Sequence, residues 1–414
     1  MSESPTADGG RTVLLLGTLD TKGEEFEFLR DRLRAAGAEV LLADVGTLEP
    51  PRARPDITRE EVGAATGVDV AALGAAADRG AAIGAMAGAA AALARRLYDE
   101  GRIHGVLSAG GSGNTAIATA AMQALPVGVP KLMVSTMAAG DTSDYVGGVD
   151  VMMMASVTDV AGINSISSRI LANAAAAMAG MVQAEPPALE GGRPLVAATM
   201  FGVTTPCVTT AREALEEKGY EVLVFHATGT GGKAMEALVD GGLLTGVLDI
   251  TTTELCDDLV GGVLSAGPAR LEAAGRAGVP QVVSLGALDM VNFGARDTVP
   301  PKFEDRNLYV HNPSVTLMRT TRQECAELGR RIARKLSQAT GPVSLFVPLK
   351  GVSMIDAEDQ PFHHPEADAA LFEALRAGLA GTQVELVELD NNINDEEFAV
   401  AMAEKLDGYL GGAR

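Results

Sequence analysis

The sequence predicts an α/β protein of two similar halves, each built on a mostly parallel sheet with its ligand cleft at the carboxyl ends of the strands. Three observations carry this. Residues 11–45 read as strand, helix and strand joined by short loops, and from Leu195 the same order starts again. Between them, an apolar strand passes through Gly110-Gly111-Ser112-Gly113-Asn114-Thr115 directly into an Ala-rich helix.

Taken in order, Met1 to Gly10 is polar and acidic and is expected to be a disordered leader, so the first domain spans 11–182. Arg11 to Leu16 is a β-branched and leucine run ending in Gly17-Thr18-Leu19-Asp20-Thr21-Lys22-Gly23, and Phe26, Leu29 and Leu33 predict a helix over 24–36. Gly37 closes that helix. Ala38 to Asp44 gives a second strand ending at Val45-Gly46-Thr47, and the β-α-β order predicts parallel pairing with a right-handed crossover. Residues 48–101 break the pattern and read as a helical insertion, in which Ala81, Gly84, Ala85 and Gly88 suit a close helix contact within the subunit or across a dimer. After the glycine turn come a strand from Lys131 to Thr136, a polar loop from Met137 to Asp144, a strand over 151–156 and a helix over 164–181. The Pro- and Gly-rich stretch 183–194 is the expected linker.

The second domain, 195–414, repeats the first. Leu195 to Met200 stands for the first strand, Ala211 to Lys218 for the first helix, and Gly219-Tyr220-Glu221-Val222 for Gly37-Ala38-Glu39-Val40. Gly246-Val247-Leu248 answers Gly105-Val106-Leu107. The spacing between matched positions shrinks across 48–101, as an insertion in the first half requires. Beyond Gly294 the chain reads as an irregular segment to Arg306, followed by helices over 322–335, 367–377 and 395–409 and strands over 343–349 and 383–389.

Composition excludes several classes. A formal net charge of −21 disfavours nucleic acid, whose nonspecific binding rests on Lys and Arg neutralising phosphates. No apolar run has the length to span a bilayer, and no basic n-region precedes an apolar core, so neither a membrane partner nor a signal peptide is expected. Cys207, Cys256 and Cys325 form no C-x-x-C pair, which argues against a disulfide framework and for a reducing cytoplasm.

In a parallel sheet the loops after the strands gather at one edge, where ligands bind. In the first half this edge collects Asp20, Thr21, Lys22, Gly46, Thr47, Gly110, Gly111, Ser112, Gly113, Asn114, Thr115, Ser135, Thr136 and Asp141. In the second it collects Thr204, Thr205, Gly229, Thr230, Gly231, Thr252 and Asp289. If the two edges face each other they line one cleft. Glycines at a helix start leave amides free to meet an anion such as a phosphate, although Gly-Gly-Ser-Gly also serves as a plain strand-to-helix connection. Lys22 and Arg79 supply positive charge there. Asp20, Asp141 and Asp144 are of the type that holds Mg²⁺ through water beside phosphates, or that caps helices.

Gly111-Ser112-Gly113-Asn114-Thr115-Ala116 fits G-x-G-x-x-A, but it does not follow the first strand of its domain, and Ser135-Thr136 stands where an acidic ribose-binding residue belongs in a dinucleotide fold. There is no G-x-x-x-x-G-K-[ST] and no H-E-x-x-H, so neither a P-loop nor a zinc site is indicated. For acid/base chemistry in the cleft the candidates are His226, Lys350 and Asp289, with His311 also at a strand end. Cys207 has no histidine nearby and makes a poor nucleophile.

Five loops taken together resemble a known family: Gly17-Thr18-Leu19-Asp20-Thr21-Lys22-Gly23-Glu24, Gly110-Gly111-Ser112-Gly113-Asn114-Thr115, Gly140-Asp141-Thr142-Ser143-Asp144-Tyr145, Phe225-His226-Ala227-Thr228-Gly229-Thr230-Gly231-Gly232 and Pro348-Leu349-Lys350-Gly351-Val352-Ser353. The chain is similar to the Tm-one-like ATP-binding family, that of the tomato mosaic virus resistance protein, over nearly its whole length. The resemblance implies two Rossmann-like domains, ATP bound by the N-terminal one, and a homodimer; it implies no reaction. The expectation is therefore an ATP-binding protein with phosphates at Gly110 to Thr115. The alternatives are a metabolic enzyme acting on a phosphorylated or carboxylate small molecule in the inter-domain cleft, or a two-lobed small-molecule sensor without catalysis.

Overall fold

The computed structural model describes residues 10–76, 78–185 and 192–411. The expected leader lies outside these residues except for Gly10, as does 186–191 of the expected linker. Two compact units follow one another along the chain, Met1–Ala188 and Leu189–Arg414.

The first unit runs β1 (Thr12–Gly17), α1 (Leu19–Ala35), β2 (Glu39–Asp44), α2 (Arg59–Ala64), α3 (Val70–Ala76), α4 (Arg79–Asp99), β3 (Gly105–Gly110), α5 (Ser112–Gln123), β4 (Lys131–Ser135), α6 (Ser143–Val146), β5 (Met152–Ala155) and α7 (Ser167–Gln183). Its strands pair in parallel in the order β2-β1-β3-β4-β5. Strand periodicity feeds both faces. Leu14 and Leu16 pack with Met86, Leu93, Ile117 and Ala121 of α4 and α5, whereas Val13 and Leu15 pack with Phe26, Leu29, Leu171 and Met178 of α1 and α7.

Two expectations need correction here. α1 begins at Leu19, so Asp20, Thr21 and Lys22 sit in its first turn and not in a loop; Leu19 is buried, and Asp44 Oδ1 accepts its amide at 3.1 Å, which caps the helix from the neighbouring strand. The helix bends at Lys22, whose φ is −129°. Nor is all of 48–101 an insertion: α4 is the ordinary crossover from β2 to β3, and the added elements are α2 and α3. Among the small residues of α4, Gly84 and Gly88 face outward: a side chain at either would meet nothing within 4 Å among the described residues.

The second unit runs β6 (Leu195–Met200), α8 (Thr205–Glu217), β7 (Glu221–His226), α9 (Thr230–Asp240), β8 (Gly246–Thr251), α10 (Glu254–Val260), α11 (Ala273–Ala277), β9 (Gln281–Gly286), β10 (Met290–Phe293), β11 (Leu308–Asn312), β12 (Val315–Arg319), α12 (Arg322–Leu336), β13 (Val343–Pro348), α13 (Pro365–Leu379), β14 (Glu385–Leu389) and α14 (Glu396–Leu410). Its main sheet is parallel in the order β14-β13-β9-β8-β6-β7. The first four strands of the two units thus share one order, β2-β1-β3-β4 and β7-β6-β8-β9, which is the pseudo-repeat. Inserted after β9 is an antiparallel sheet, β10-β12-β11, whose strands flank the segment read as irregular. Four residues of β10 give too short an alternation to announce a strand.

Candidate functional site

In a sheet of order 2-1-3-4-5 the chain leaves β1 in opposite directions to reach β2 and β3, and the loops there diverge to leave a crevice. In the first unit this switch point holds a cavity of about 560 Å³. Three strand ends supply its floor: Thr18, Asp20, Thr21 and Lys22 after β1; Val45, Gly46, Thr47 and Leu48 after β2; Gly111, Ser112, Gly113 and Asn114 after β3. Leu73 and Gly74 of α3, with Asp78, Arg79, Ala82 and Ile83 at the start of α4, complete the wall. α3 and the start of α4 therefore roof the switch point. Gly74 is needed for this, because a Cβ there would lie 2.6 Å from the Thr47 carbonyl oxygen.

One carboxylate that sequence reasoning missed fixes this corner. Asp44, at the end of β2, accepts Leu19 N (3.1 Å) and Gly46 N (2.9 Å) on Oδ1 and Arg59 Nε (2.7 Å) on Oδ2. It thereby joins the start of α1, the Gly46 loop and α2. Burial raises its pKa, opposed by the Gly46 amide and by Arg59. A strand-terminal Asp followed by the capping-box pair Thr58 and Glu61 was the available signal, but their meeting at Arg59 is tertiary.

The cavity is polar in two senses. The first amides of α5 have no intrahelical acceptor and carry the positive end of its dipole. Arg79 lies over them, with Nη2 at 3.6 Å from the position of a Cβ on Gly113. These groups donate. Asp20 and Asn114, in contrast, present acceptors: each has a buried Oδ1 with no hydrogen-bond partner among the described residues. Lys22 lines the cavity, but its Nζ donates to the Val160 carbonyl, which ties α1 to the loop after β5.

The remaining predicted residues of this edge shape the turn or lie beside it. Asn114 Nδ2 donates to Ser108 Oγ (3.0 Å) and the Ala109 carbonyl (2.8 Å), and a Cβ on Gly110 would crowd Asn114. Thr115 Oγ1 donates to the Gly111 carbonyl (2.8 Å) and is 2.7 Å from Ser135 Oγ. Gly110, Thr115 and Ser135 are thus buried supports and do not line the cavity. Ser135 and Thr136 line a neighbouring hollow of about 420 Å³ with Ser156, Val157, Thr158 and Asp159. Val157 stands there at φ +62°, a costly conformation for a β-branched residue. Asp141 is exposed; its Oδ1 accepts Ser143 N (3.0 Å) and Ser143 Oγ (2.7 Å), so it braces the start of α6 and is not brought into the cavity.

The equivalent edge of the second unit is filled by its own side chains, which corrects the expectation of open ligand loops there. Across the switch point between β6 and β8, Thr204 Oγ1 lies 2.8 Å from Thr251 Oγ1. Thr252 is buried and donates to the Ser284 carbonyl at 3.1 Å. Gly229 N and Gly232 N, at the start of α9, both donate to Glu254 Oε1, at 2.7 and 3.1 Å. A carboxylate of the chain itself occupies the anion seat, and Gly231 backs onto the His226 carbonyl. Glu254 Oε2 in turn accepts Arg270 Nε (2.6 Å), and Arg270 also grips Asp249 at 2.5 and 2.7 Å. Thr205 and Thr230 are exposed at helix starts; Thr205 Oγ1 donates to the Phe201 carbonyl at 3.3 Å.

His226, Lys350 and Asp289 are not brought together. His226 ends the edge strand β7 and is exposed. Lys350 follows β13, four strands away, roughly 19 Å at ordinary spacing, and its exposed Nζ pairs with Asp390 at 2.9 Å. Asp289 is fully buried; Ser353 Oγ donates to its Oδ2 at 2.8 Å, Oδ1 has no partner among the described residues, and burial lifts its pKa to about 6 against the pull of Arg319. A set that shares no space carries no acid/base relay. His311 is exposed on β11, and burial pushes the Cys207 thiol up to about 12, which removes it as a nucleophile.

Fold and site together define a protein of two Rossmann-like units with an open switch-point cavity in the first and a self-filled edge in the second. The chain belongs to the family described as Uncharacterised protein family (UPF0261), matching its N-terminal domain over residues 11–187 and its C-terminal domain over 193–410. A UPF0261 protein of Clostridium tetani is 54% identical over 396 residues, covering 96% of this chain and 98% of its own. One from Mesorhizobium japonicum is 49% identical over 399 residues, 96% of this chain and 99% of its own. The ToMV resistance protein Tm-1(GCR237) of Solanum lycopersicum is 40% identical over 413 residues, 95% of this chain but 55% of its own length, so the Tm-one-like resemblance is a family relation.

Proposed function

We propose that this protein binds ATP in the switch-point cavity of its first unit, with the phosphates on the amides of Gly111, Ser112 and Gly113 under Arg79. The observation that carries the reading is the pairing of an uncovered helix start with a guanidinium, in a cavity that also presents apolar Leu73, Ala82, Ile83 and Ile117 to a base. The contrast with α9, where Glu254 already sits on the amides, supports the choice of unit. Lys22, although its Nζ is held by the Val160 carbonyl, adds positive charge to the cavity wall, and Mg²⁺ enters as the companion ion of the nucleotide. Buried thiols at Cys207, Cys256 and Cys325 suit a reducing cytoplasm. The outward small-residue face of α4 suits a homodimer in which two such helices approach.

Calorimetry with Gly111→Val tests the phosphate assignment. A Cβ on Gly111 would meet only Thr136 Oγ1, at 3.8 Å, so the variant keeps its fold while the branch blocks backbone approach. Gly113 is the weaker choice because a Cβ there lies 3.2 Å from Ile83. Loss of ATP binding in a folded Gly111→Val is expected; unchanged affinity rejects the assignment. A second reading, an enzyme on a phosphorylated or carboxylate small molecule, is favoured by the hydroxyl-lined hollow next to Gly111 and is tested by turnover of such compounds in the presence of ATP.

A further inference from the structure

We infer that the cavity selects ribonucleotides, with Asp20 accepting hydrogen bonds from the sugar hydroxyls. This rests on the nucleotide reading of the same cavity and adds to it which part of the ligand meets the acid. Asp20 is 2% exposed. Its Oδ2 accepts Leu48 N at 3.0 Å, while its Oδ1, buried at the edge of the cavity that Asp20 lines, has no partner among the described residues. A carboxylate only accepts, and a buried acceptor without a donor carries a desolvation penalty that a ligand can relieve. A phosphate relieves nothing there, because it brings no donor and the same sign of charge.

Position separates the two ends of the ligand. Asp20 leans on Gly46, where a Cβ would strike its carboxylate at 2.6 Å, so it serves the side of the cavity over β2. The α5 amides and Arg79 serve the side over β3. With β1 between them, the two sides are two strand spacings apart, roughly 9–10 Å, a span that a nucleotide covers from sugar to polyphosphate. The free oxygen keeps two lone pairs, enough for both hydroxyls of a vicinal diol. Asn114 adds a second acceptor: its Nδ2 already donates to the Ala109 carbonyl, which only accepts, so the amide cannot be turned round and Oδ1 is left free. A cavity with an unsatisfied acid on the β2 side, and donors together with one amide acceptor on the α5 side, asks for a ligand that brings both an anion and hydroxyl groups.

The test is calorimetry on the full chain with ATP, 2′-deoxy-ATP, 3′-deoxy-ATP and inosine triphosphate at fixed Mg²⁺, for the native protein, Asp20→Ala and Asp20→Asn. A hydrogen bond to a charged acceptor predicts that at least one deoxy form binds roughly tenfold or more weakly than ATP, with inosine triphosphate close to ATP. Asp20→Ala should lose that discrimination. Asp20→Asn keeps an acceptor for Leu48 N and guards against a folding loss, which urea unfolding of each variant reports. Equal binding of ATP and both deoxy forms by the native protein overturns the inference and leaves the nucleotide reading standing. So does a deoxy penalty that persists in both variants. Discrimination against inosine triphosphate alone also overturns it, since the acid would then read a base amine. Failure of all four nucleotides to bind defeats the nucleotide reading itself.

Discussion

Arg270→Met should unfold the second unit or bring it to the edge of unfolding at neutral pH. The Arg270 side chain is wholly buried and is the guanidinium for Asp249, Glu254 and Glu236, at closest distances of 2.5, 2.6 and 3.4 Å. Removing one partner of a buried ion pair costs about 3–5 kcal/mol. Two tight pairs are broken at once, and because they share a partner the costs do not simply add, so about 5 kcal/mol or more is expected against a typical domain stability of about 5–15 kcal/mol. The sign of the pH dependence is a further check. Burial raises the Glu236 pKa even with Arg270 present, and the variant removes the cation that opposes this rise. A raised folded pKa gives stability that is full below the unfolded value of about 4 and is lost as pH rises. The variant's deficit should therefore shrink towards about pH 5. Urea unfolding of the full chain, followed by circular dichroism at both pH values, measures it. A variant within about 1 kcal/mol of the native protein at neutral pH refutes the assignment of Arg270 as the keystone of this edge.

Three further outcomes are expected. Glu254→Ala leaves Gly229 N, Gly232 N and Arg270 facing an empty anion seat, so formate or acetate should raise its unfolding midpoint relative to chloride at equal ionic strength and leave the native midpoint unmoved; equal responses would show that Glu254 is not held as described. Around Arg319, Asp289 is lifted to about 6 and Asp356 to about 9, by burial and, for Asp356, by the neighbouring carboxylates Asp289 and Asp368. Stability from this cluster should thus be full below about pH 4 and fall as pH rises towards about 9, and Asp289→Asn should flatten that fall in urea midpoints. Thr115→Ala removes the hydroxyl that bridges Gly111 and Ser135 and should cost about 1 kcal/mol of stability together with a few-fold loss of ATP affinity, by unfolding and calorimetry.

The first site was legible because what makes it is local. A strand end, a glycine turn and a helix start lie within a few residues at 105–115, and parallel topology then brings the loops after β1, β2 and β3 to one crevice. Arg79 was legible as a charge but not as the first residue of a regular crossover helix, since Ala-rich sequence hides where an insertion stops. The second site misled for a physical reason. Thr228-Gly229-Thr230-Gly231-Gly232 has the composition of a ligand loop, and its glycines are indeed there to admit an anion: a Cβ on Gly232 would stand 2.1 Å from Glu254 Oε2. The anion comes from residue 254, and no local pattern announces it. The same holds for Asp44 and Arg59, whose importance lies in what they join. His226, Lys350 and Asp289 shared only the property of following strands, which places residues on an edge but not beside one another.

The two edges are opposite solutions at one junction. In each unit the helix that follows the second strand and the helix that follows the third start side by side. In the first unit the residue that crosses this junction is a cation, Arg79, leaning from α4 over the start of α5, so donors accumulate there. In the second it is an acid, Glu254, reaching from the start of α10 to the start of α9, so the donors are satisfied from within. The charge around Arg270 makes this choice hard to reverse. Asp249, Glu254 and Glu236 already surround a single guanidinium, and a phosphate entering there would meet carboxylates as well as having to displace one of them. Duplication of the fold therefore does not duplicate the junction: one side chain of opposite sign leaves the donors of the first half open and fills those of the second.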